Sequence, residues 1–368
     1  MGSSLTAEEL MERANTYLKD DDFENAAENY FQAAKAFIET GKYYFSREAF
    51  ISMSVLLEKG TKYLYYILEK ANELANDLND ANVPEISGEV LMFCANAAYD
   101  MNDIEQSAYY YEKAFQHYAM SNLEEYRDVS VACLLKAAYS YYTSTLSELD
   151  KEEQLILKAV ELHHKMEKSV LEIESKLSDF VRRNQFEKAS EGYKQLAEIL
   201  LSEIDSLRDL MTDFKDFDAV AVNVKARLIH MAAENLLKAT LLSTSERGEL
   251  LKTTSQLFEQ ATNLMFGLIN VEQVDPEDMQ RFGFDFLLAT LLKDKINGKK
   301  EAKKFYDEIL FEMIDEDLRL TVLENKYVQT ASFILEDQSH LLLRALQRLP
   351  IGRFEELRDI FVDMIKNL

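Results

Sequence analysis

The strongest constraint on this sequence is a helical segment that recurs three times, starting at Phe23, Ile104 and Phe186. In each copy a small residue follows the first apolar residue after three positions, an aromatic residue follows after four more, and another apolar residue after a further three. The four positions are Phe23, Ala26, Tyr30 and Ala33, then Ile104, Ser107, Tyr111 and Ala114, then Phe186, Ala189, Tyr193 and Leu196. Spacings of three and four residues place these side chains on one face of a helix.

Each copy follows a polar turn and an earlier helical segment, which indicates a helical hairpin. The earlier segments carry Ala14 and Tyr17, Ala95 and Ala98, and Leu177 and Phe180, respectively. Small residues let two helices approach closely, and the aromatic residues fill the gap to the next hairpin. Ala33 and Ala114 occupy equivalent positions 81 residues apart, which fits two repeats of about 40 residues each. This pattern is typical of tetratricopeptide-like hairpins.

The remaining chain repeats less clearly. Helical periodicity predicts further hairpins over 46–75, 128–167 and 218–268. Residues 271–368 lack the small–aromatic pattern and predict helices over 276–296, 301–313, from 315 or 317, over 338–349 and over 354–368. We therefore predict an all-α fold. A right-handed solenoid of tetratricopeptide-like hairpins spans 1–270, and a C-terminal helical bundle over 271–368 caps it.

Charge and composition restrict the partners. Hydrophobic residues make up 47% of the 368 residues, and the net charge is −25. Because such a surface repels phosphates, we expect no nucleic-acid partner. The first residues show no signal-peptide pattern, and no run of about 18 apolar residues occurs. We expect a cytoplasmic protein with, at most, peripheral membrane contact. The two cysteines, Cys94 and Cys133, are expected to be buried thiols.

No constellation of catalytic residues is visible in the sequence. It contains no glycine-rich phosphate loop, nucleophile elbow or metal-type cysteine pairing. We therefore expect no enzyme, no cofactor and no small-molecule substrate. His163 and Glu167, four positions apart, could present two metal ligands on one helix face, but a third ligand is missing and chance explains the spacing equally.

A lysine cluster straddles the Asn297–Gly298 turn. One interpretation is a docking patch for an acidic partner or anionic lipid headgroups. The other is a helix end and a solvated helix face. The cluster consists of Lys293, Lys295, Lys299, Lys300, Lys303 and Lys304.

Runs of neighbouring tyrosines give a second set of candidates. Adjacent residues on a helix cannot all face the core, and tyrosine is a preferred anchor at protein interfaces. We predict Tyr44, Tyr66 and Tyr110 as exposed partner-binding residues. Packing between hairpins is the alternative explanation for such tyrosines.

Several segments resemble the soluble NSF attachment proteins (SNAPs). The similar segments are FENAAENY (23–30), AAKAF (33–37), LLATLLKDKIN (287–297), AKKFYDE (302–308) and the closing helix 354–366. The resemblance implies a twisted sheet of helical hairpins with a C-terminal bundle. It also implies an adaptor that grips a helical, SNARE-like bundle and recruits a hexameric AAA+ ATPase through its C-terminal end, in membrane fusion and vesicle trafficking.

In that reading, the outer residues of the last helix contact the ATPase, among them Lys366 and Leu368, and its apolar face is core. That face carries Leu357, Phe361 and Ile365. The alternative function is a generic tetratricopeptide scaffold or peptide-sensing regulator, which binds a short peptide in its groove and needs no ATPase.

Overall fold

The computed structural model describes residues 5–121, 124–144, 149–269, 276–314, 316–350 and 352–367. All regular secondary structure in these ranges is helical, which confirms the all-α prediction and the succession of helical repeats. The helices are α1 (Ala7–Lys19), α2 (Phe23–Glu39), α3 (Tyr43–Ile51), α4 (Thr61–Asp80), α5 (Pro84–Asp100), α6 (Ile104–Met120), α7 (Arg127–Thr143), α8 (Leu149–His163), α9 (Val170–Arg182), α10 (Phe186–Ser202), α11 (Ile204–Asp209), α12 (Phe217–Leu242), α13 (Arg247–Ile269), α14 (Pro276–Asn297), α15 (Lys299–Asp307), α16 (Glu316–Glu324), α17 (Lys326–Leu335), α18 (Ser339–Leu346) and α19 (Arg358–Asn367).

Four shorter helical segments extend or connect these elements. Ser52–Lys59, Glu124–Tyr126 and Gly352–Leu357 are 3₁₀-helical, and Glu308–Met313 forms a π-helical continuation of α15.

The chain divides into two compact units. Unit 1 comprises Met1–His163 with Leu210–Phe214, and unit 2 comprises His164–Asp209 with Lys215–Leu368. This division differs from the boundary that we predicted at residue 270. Within unit 2, α12 packs on α13 and α13 packs on α14, so the packing continues past that position. A separately folding C-terminal bundle stays a prediction.

The predicted polar turns have one geometry in all three clear hairpins. Asp21, Asn102 and Asn184 adopt left-handed backbone angles, with φ of 58°, 62° and 56°. Short polar side chains tolerate this conformation better than others. The following residue then donates its backbone N–H to a carbonyl five positions back, which ends the first helix in a Schellman motif. In two of the turns that residue, Asp22 or Asp103, also caps the next helix through its carboxylate.

The recurring tyrosine joins the two helices of its own hairpin. Tyr30 donates its hydroxyl hydrogen to Asn15 at 2.7 Å, and Tyr111 donates to Asn96 at 2.6 Å. In the third hairpin Tyr193 bonds Ser178, again 15 residues back. The small residues of the pattern are buried at the hairpin contacts. Each signature residue therefore fixes the pairing of α1 with α2, α5 with α6, or α9 with α10.

Within unit 1, polar contacts between residues 38 positions apart connect α2, α4 and α6. This step matches the predicted repeat of about 40 residues and shows that the weaker repeat over 46–75 is a hairpin of the same series. The contacts join Lys62 to Glu24 (3.2 Å), Tyr66 to Glu28 (2.8 Å), Lys35 to Glu73 (2.7 Å), Tyr65 to Asp103 (3.0 Å) and Asn72 to Tyr110 (2.8 Å).

The hairpin predicted over 128–167 corresponds to α7 and α8 of unit 1, and unit 2 contains the elements predicted farther along the chain. The hairpin over 218–268 is α12 and α13, and the helix over 276–296 is α14. α15 starts at Lys299, two residues before the predicted start, because Gly298 (φ 86°) reverses the chain directly after α14. Between α12 and α14, the fully buried Arg227 forms an ion pair with Asp278 at 2.6 Å.

Candidate partner-binding surfaces

An open groove of about 510 Å³ lies in unit 1 on the first helices of three successive hairpins. Helices α3, α5 and α7 line it, together with the turn before α7 and Tyr118 of α6. Its apolar residues are Ile51, Met92, Phe93 and Val129, and its polar residues include Arg47 and Asn96. We call this surface the unit 1 groove. It collects residues from positions 47 to 129, so no single sequence segment contains it.

Arg47 is the basic anchor of the unit 1 groove. Its guanidinium pairs with Glu89 and lies 2.9 Å from Glu48. The guanidinium carbon is also 4.8 Å from the centre of the Tyr44 ring, in a cation–π contact. These contacts leave Nε of Arg47 buried without a hydrogen-bond partner among the described residues. Arg47 therefore retains a donor that the fold itself does not satisfy.

Tyr118 supplies a second unsatisfied group in the wall of the unit 1 groove. Its ring stacks on Tyr126 with centroids 5.8 Å apart, and its buried hydroxyl lacks a partner in the described structure. Burial raises the pKa of Tyr118, so the hydroxyl stays protonated and can donate. Gly88 makes room for the ring, because a Cβ at that position would lie 2.9 Å from it. A buried donor left unpaired is unfavourable, so each such group requires an explanation.

The three predicted tyrosines have different environments. Tyr44 is exposed over 56% of its surface, as predicted, and the neighbouring Phe45 is equally exposed. Tyr66 is half-buried against Glu28. The exposure predicted for Tyr110 is wrong, because its hydroxyl donates to the Leu68 carbonyl oxygen at 2.6 Å and the ring is buried. Each helical residue turns by about 100°, and in this run Tyr109 is the exposed one.

The lysine cluster is not one continuous basic patch. Lys293 pairs with Glu259 at 2.7 Å and Lys299 with Asp337 at 2.5 Å, so both are engaged within unit 2. Lys295 is half-buried. Three exposed lysines line a shallow groove that also contains three carboxylates. These residues are Lys300, Lys303 and Lys304 with Asp307, Glu308 and Glu312. Docking of an acidic partner or of lipid headgroups here stays a prediction.

At the C-terminus, the apolar face of α19 is core as predicted. Leu357, Phe361 and Ile365 are buried. Lys366 is exposed, with its ammonium 3.0 Å from Asp363. Leu368, the other predicted contact residue, lies outside the described residues.

The structure does not place His163 and Glu167 on one helix face, as a shared metal site would need. α8 ends at His163, so Glu167 lies beyond the helix and the two side chains do not share a helical face. No group of three or more His, Cys, Asp or Glu side chains in the described ranges could hold a metal ion. Cys94 and Cys133 are buried and unbonded, as expected. Burial raises the pKa of both thiols, for Cys133 to about 12.

A buried polar cluster in unit 2 was not foreseen from the sequence. His230 lies 2.8 Å from Asp285 and 3.7 Å from Glu234. Burial opposes the charged imidazole and so does Arg281, but the two carboxylates outweigh them and raise the pKa of His230. The cluster joins α12 to α14.

Comparisons with known proteins assign no family to this chain. No family model matches the chain, and no curated protein matches it. Among solved structures, it is similar to a circular tandem repeat protein with novel repeat topology and enhanced subunit contact surfaces. That match has 12% identity, covers 98% of this chain and 88% of the other, and has a TM-score of 0.24, so it carries no argument about function. No described helix is both long enough and apolar enough to cross a membrane.

Proposed function

We propose that this chain is a non-catalytic protein-binding adaptor and that the unit 1 groove holds a segment of its partner. The observation that carries the proposal is the pair of unsatisfied groups, Arg47 Nε and the Tyr118 hydroxyl, on residues of a groove that combines apolar side chains with Glu89 and Glu125. Ligand sites combine apolar walls with a few placed polar groups in this way.

The chemistry of the groove defines the segment. Met92 and Phe93 offer apolar contact to a side chain, Arg47 can only donate hydrogen bonds, and the Tyr118 hydroxyl can donate or accept. The bound segment therefore supplies an apolar side chain and a nearby carbonyl or carboxylate oxygen. Tyr44 and Phe45, both exposed, are additional aromatic surface on α3. Aromatic and arginine residues contribute most of the energy at many interfaces.

The finer proposal follows the SNAP resemblance. In it, the segment belongs to a SNARE-like helical bundle, the adaptor recruits a hexameric AAA+ ATPase through its C-terminal end, and the complex acts in vesicle trafficking. Asp359, Asp363 and Lys366 are the exposed residues of α19 available for such contact. Its support is the similarity of segments at both ends of the chain.

The test uses surface variants rather than truncation. Removing α19 would delete Phe361, Met364 and Ile365, which are buried in the core, so a truncated chain could lose binding by unfolding. Stimulation of a hexameric AAA+ ATPase from the same source is compared between the natural chain and a double variant, Asp363→Lys with Lys366→Glu. The SNAP-like proposal predicts stimulation by the natural chain and its loss in the double variant. Absence of both binding and stimulation would remove the ATPase part.

The alternative, a peptide-binding scaffold without an ATPase, is favoured by the size of the unit 1 groove, which suits one extended or helical segment. A peptide array screened with the natural chain and with Arg47→Gln tests it. Peptides that bind only the natural chain and share an apolar residue beside an acidic one would support this function. An array without Arg47-dependent binders would contradict it.

A further inference from the structure

A second groove, of about 560 Å³, lies between α9 and α10 in unit 2. Leu177 and Leu196 are buried at its floor, and Ile173, Phe180 and Ile199 are half-buried along its sides. We call it the α9–α10 groove. It is made from residues of a single hairpin and shares none with the unit 1 groove.

Gly192 shapes the α9–α10 groove. A Cβ at this position would lie 2.2 Å from a methyl carbon of Leu177, so any larger residue would require the Leu177 side chain to shift. Glycine inside a helix is unfavourable by about 1 kcal/mol relative to alanine. The close approach of α9 to α10 at this point is what positions Leu177 at the floor of the groove.

Three lysines surround the α9–α10 groove and lack acidic partners. No carboxylate of the described residues lies within ion-pair distance of Lys168, Lys176 or Lys188. Lys176 and Lys188 lie 5.7 Å and 6.0 Å from the centre of the Phe180 ring. All three are exposed. Most of the surface carries negative charge, because the chain as a whole has a net charge of −25.

Two acidic residues also line this groove, and both accept hydrogen bonds from neutral donors. Glu187 accepts hydrogen bonds from the backbone and the hydroxyl of Thr244, which lower the pKa of its carboxyl. Glu191 accepts from Gln195 at 2.8 Å. These donors are neutral, so both carboxylates stay charged and the lining of the groove carries three positive and two negative charges. Its net charge is therefore positive, whereas that of the whole chain is −25.

We propose that the α9–α10 groove binds an acidic amphipathic helix of a partner protein. α9 has 13 residues, which is about 20 Å of helix, so the groove accommodates three to four turns of a ligand helix. Apolar ligand side chains spaced by three and four residues pack on the half-buried Ile173, Phe180 and Ile199. Ligand carboxylates at the flanks pair with the lysines. This helix-in-groove mode is a general way to recognise peptides.

The test measures binding of a defined probe to the full chain by fluorescence anisotropy. The probe is a labelled synthetic helix of about 14 residues with leucines on one face and glutamates elsewhere. A twin peptide carries lysine in place of each glutamate. We expect saturable binding of the acidic probe that weakens as salt rises, and no binding of the basic twin.

The decisive variant is Lys176→Glu with Lys188→Glu. Its matched control is Lys225→Glu with Lys252→Glu, which makes the same charge change at exposed positions of α12 and α13 in unit 2. The groove variant should weaken binding of the acidic probe about tenfold or more, and the control should change it less than about twofold. Circular dichroism shows whether both variants remain folded.

Three results would overturn the proposal: no saturable binding of the acidic probe, unchanged affinity in the groove variant, or equal loss in the control variant. Arg47→Gln separates this site from the unit 1 groove. It should leave the affinity for the acidic helix unchanged. The proposals for the two grooves can therefore be refuted independently of each other.

Discussion

The buried ion pair between Arg227 and Asp278 allows a quantitative test of how unit 2 is held together. Arg227 on α12 is fully buried, with Nη2 2.6 Å from a carboxylate oxygen of Asp278 on α14 and Nη1 3.6 Å from the sulfur of Met265. Arg227→Met keeps most of the volume but leaves the carboxylate buried beside an apolar side chain. Breaking a buried pair by removing one partner destabilises a protein by about 3–5 kcal/mol.

The assay is urea unfolding followed by circular dichroism, with a thermal scan as a second measure. A loss of this size lowers the Tm by roughly 2–4 °C for each kcal/mol in a domain of 150–250 residues. Asp278→Asn should also destabilise unit 2. The variant with both substitutions should lose less free energy of unfolding than the sum of the two single losses. The difference should be about 0.5–3 kcal/mol, because the two residues interact directly.

Lys225→Met provides the matched control, because Lys225 is exposed on the same helix. It should change the free energy of unfolding by less than about 0.5 kcal/mol. The reasoning is refuted if Arg227→Met costs less than about 1 kcal/mol, or if the two single effects are additive. Either result would mean that α12 and α14 are not joined through this pair.

Three further predictions concern groups outside the grooves. His230 has a raised pKa in the folded chain, so its stabilising contribution is complete below its unfolded pKa of about 6.5 and is lost as the pH rises through the folded value. His230→Gln should therefore lower the free energy of unfolding, measured by urea titration, by more at pH 6 than at pH 9. An equal loss at both pH values would contradict this. Cys94 and Cys133 should react with a thiol reagent at neutral pH only after denaturant is added, since both are buried; rapid labelling of the native chain would show that the packing around them is wrong. Ser169 caps α9 by accepting from the Glu172 N–H at 3.2 Å, so Ser169→Ala should lower the free energy of unfolding by about 1 kcal/mol, whereas no change in urea titration would show that the cap does not contribute.

The hairpins could be predicted from the sequence because their determinants are local. The small residue, the tyrosine and the polar turn of each repeat lie within about 20 residues of one another. Because Tyr30, Tyr111 and Tyr193 each bond the preceding helix of their own hairpin, the local pattern was enough to predict which helices pair. Apolar spacing at three and four residues likewise identified the buried face of α19.

The binding surfaces could be predicted only in part, because they depend on partners far away in the sequence. The sequence suggested that Lys293 is a free charge, but in the fold it pairs with Glu259. It also suggested that Tyr110 is exposed, but its hydroxyl donates to the Leu68 carbonyl oxygen. The unit 1 groove is lined by both Arg47 and Tyr126, which are 79 positions apart, and no spacing in the sequence indicates that they share one surface. The sequence likewise does not show that Lys176 and Lys188 both lie near the Phe180 ring, because that depends on how α9 packs on α10.

The adaptor proposal is tested most directly by photo-crosslinking from the rim of the unit 1 groove. A benzophenone amino acid replaces Glu125, an exposed residue of that rim, and in a control chain it replaces the exposed Lys252 of unit 2. After irradiation in the source cells, mass spectrometry identifies the crosslinked protein and the segment attached. We predict one recurrent segment with an apolar residue next to an acidic or carbonyl acceptor, attached at position 125, absent at 252 and lost with Arg47→Gln. If no protein is crosslinked at 125, or if the same products form at 252 and persist in Arg47→Gln, the groove does not hold a partner and the account is contradicted.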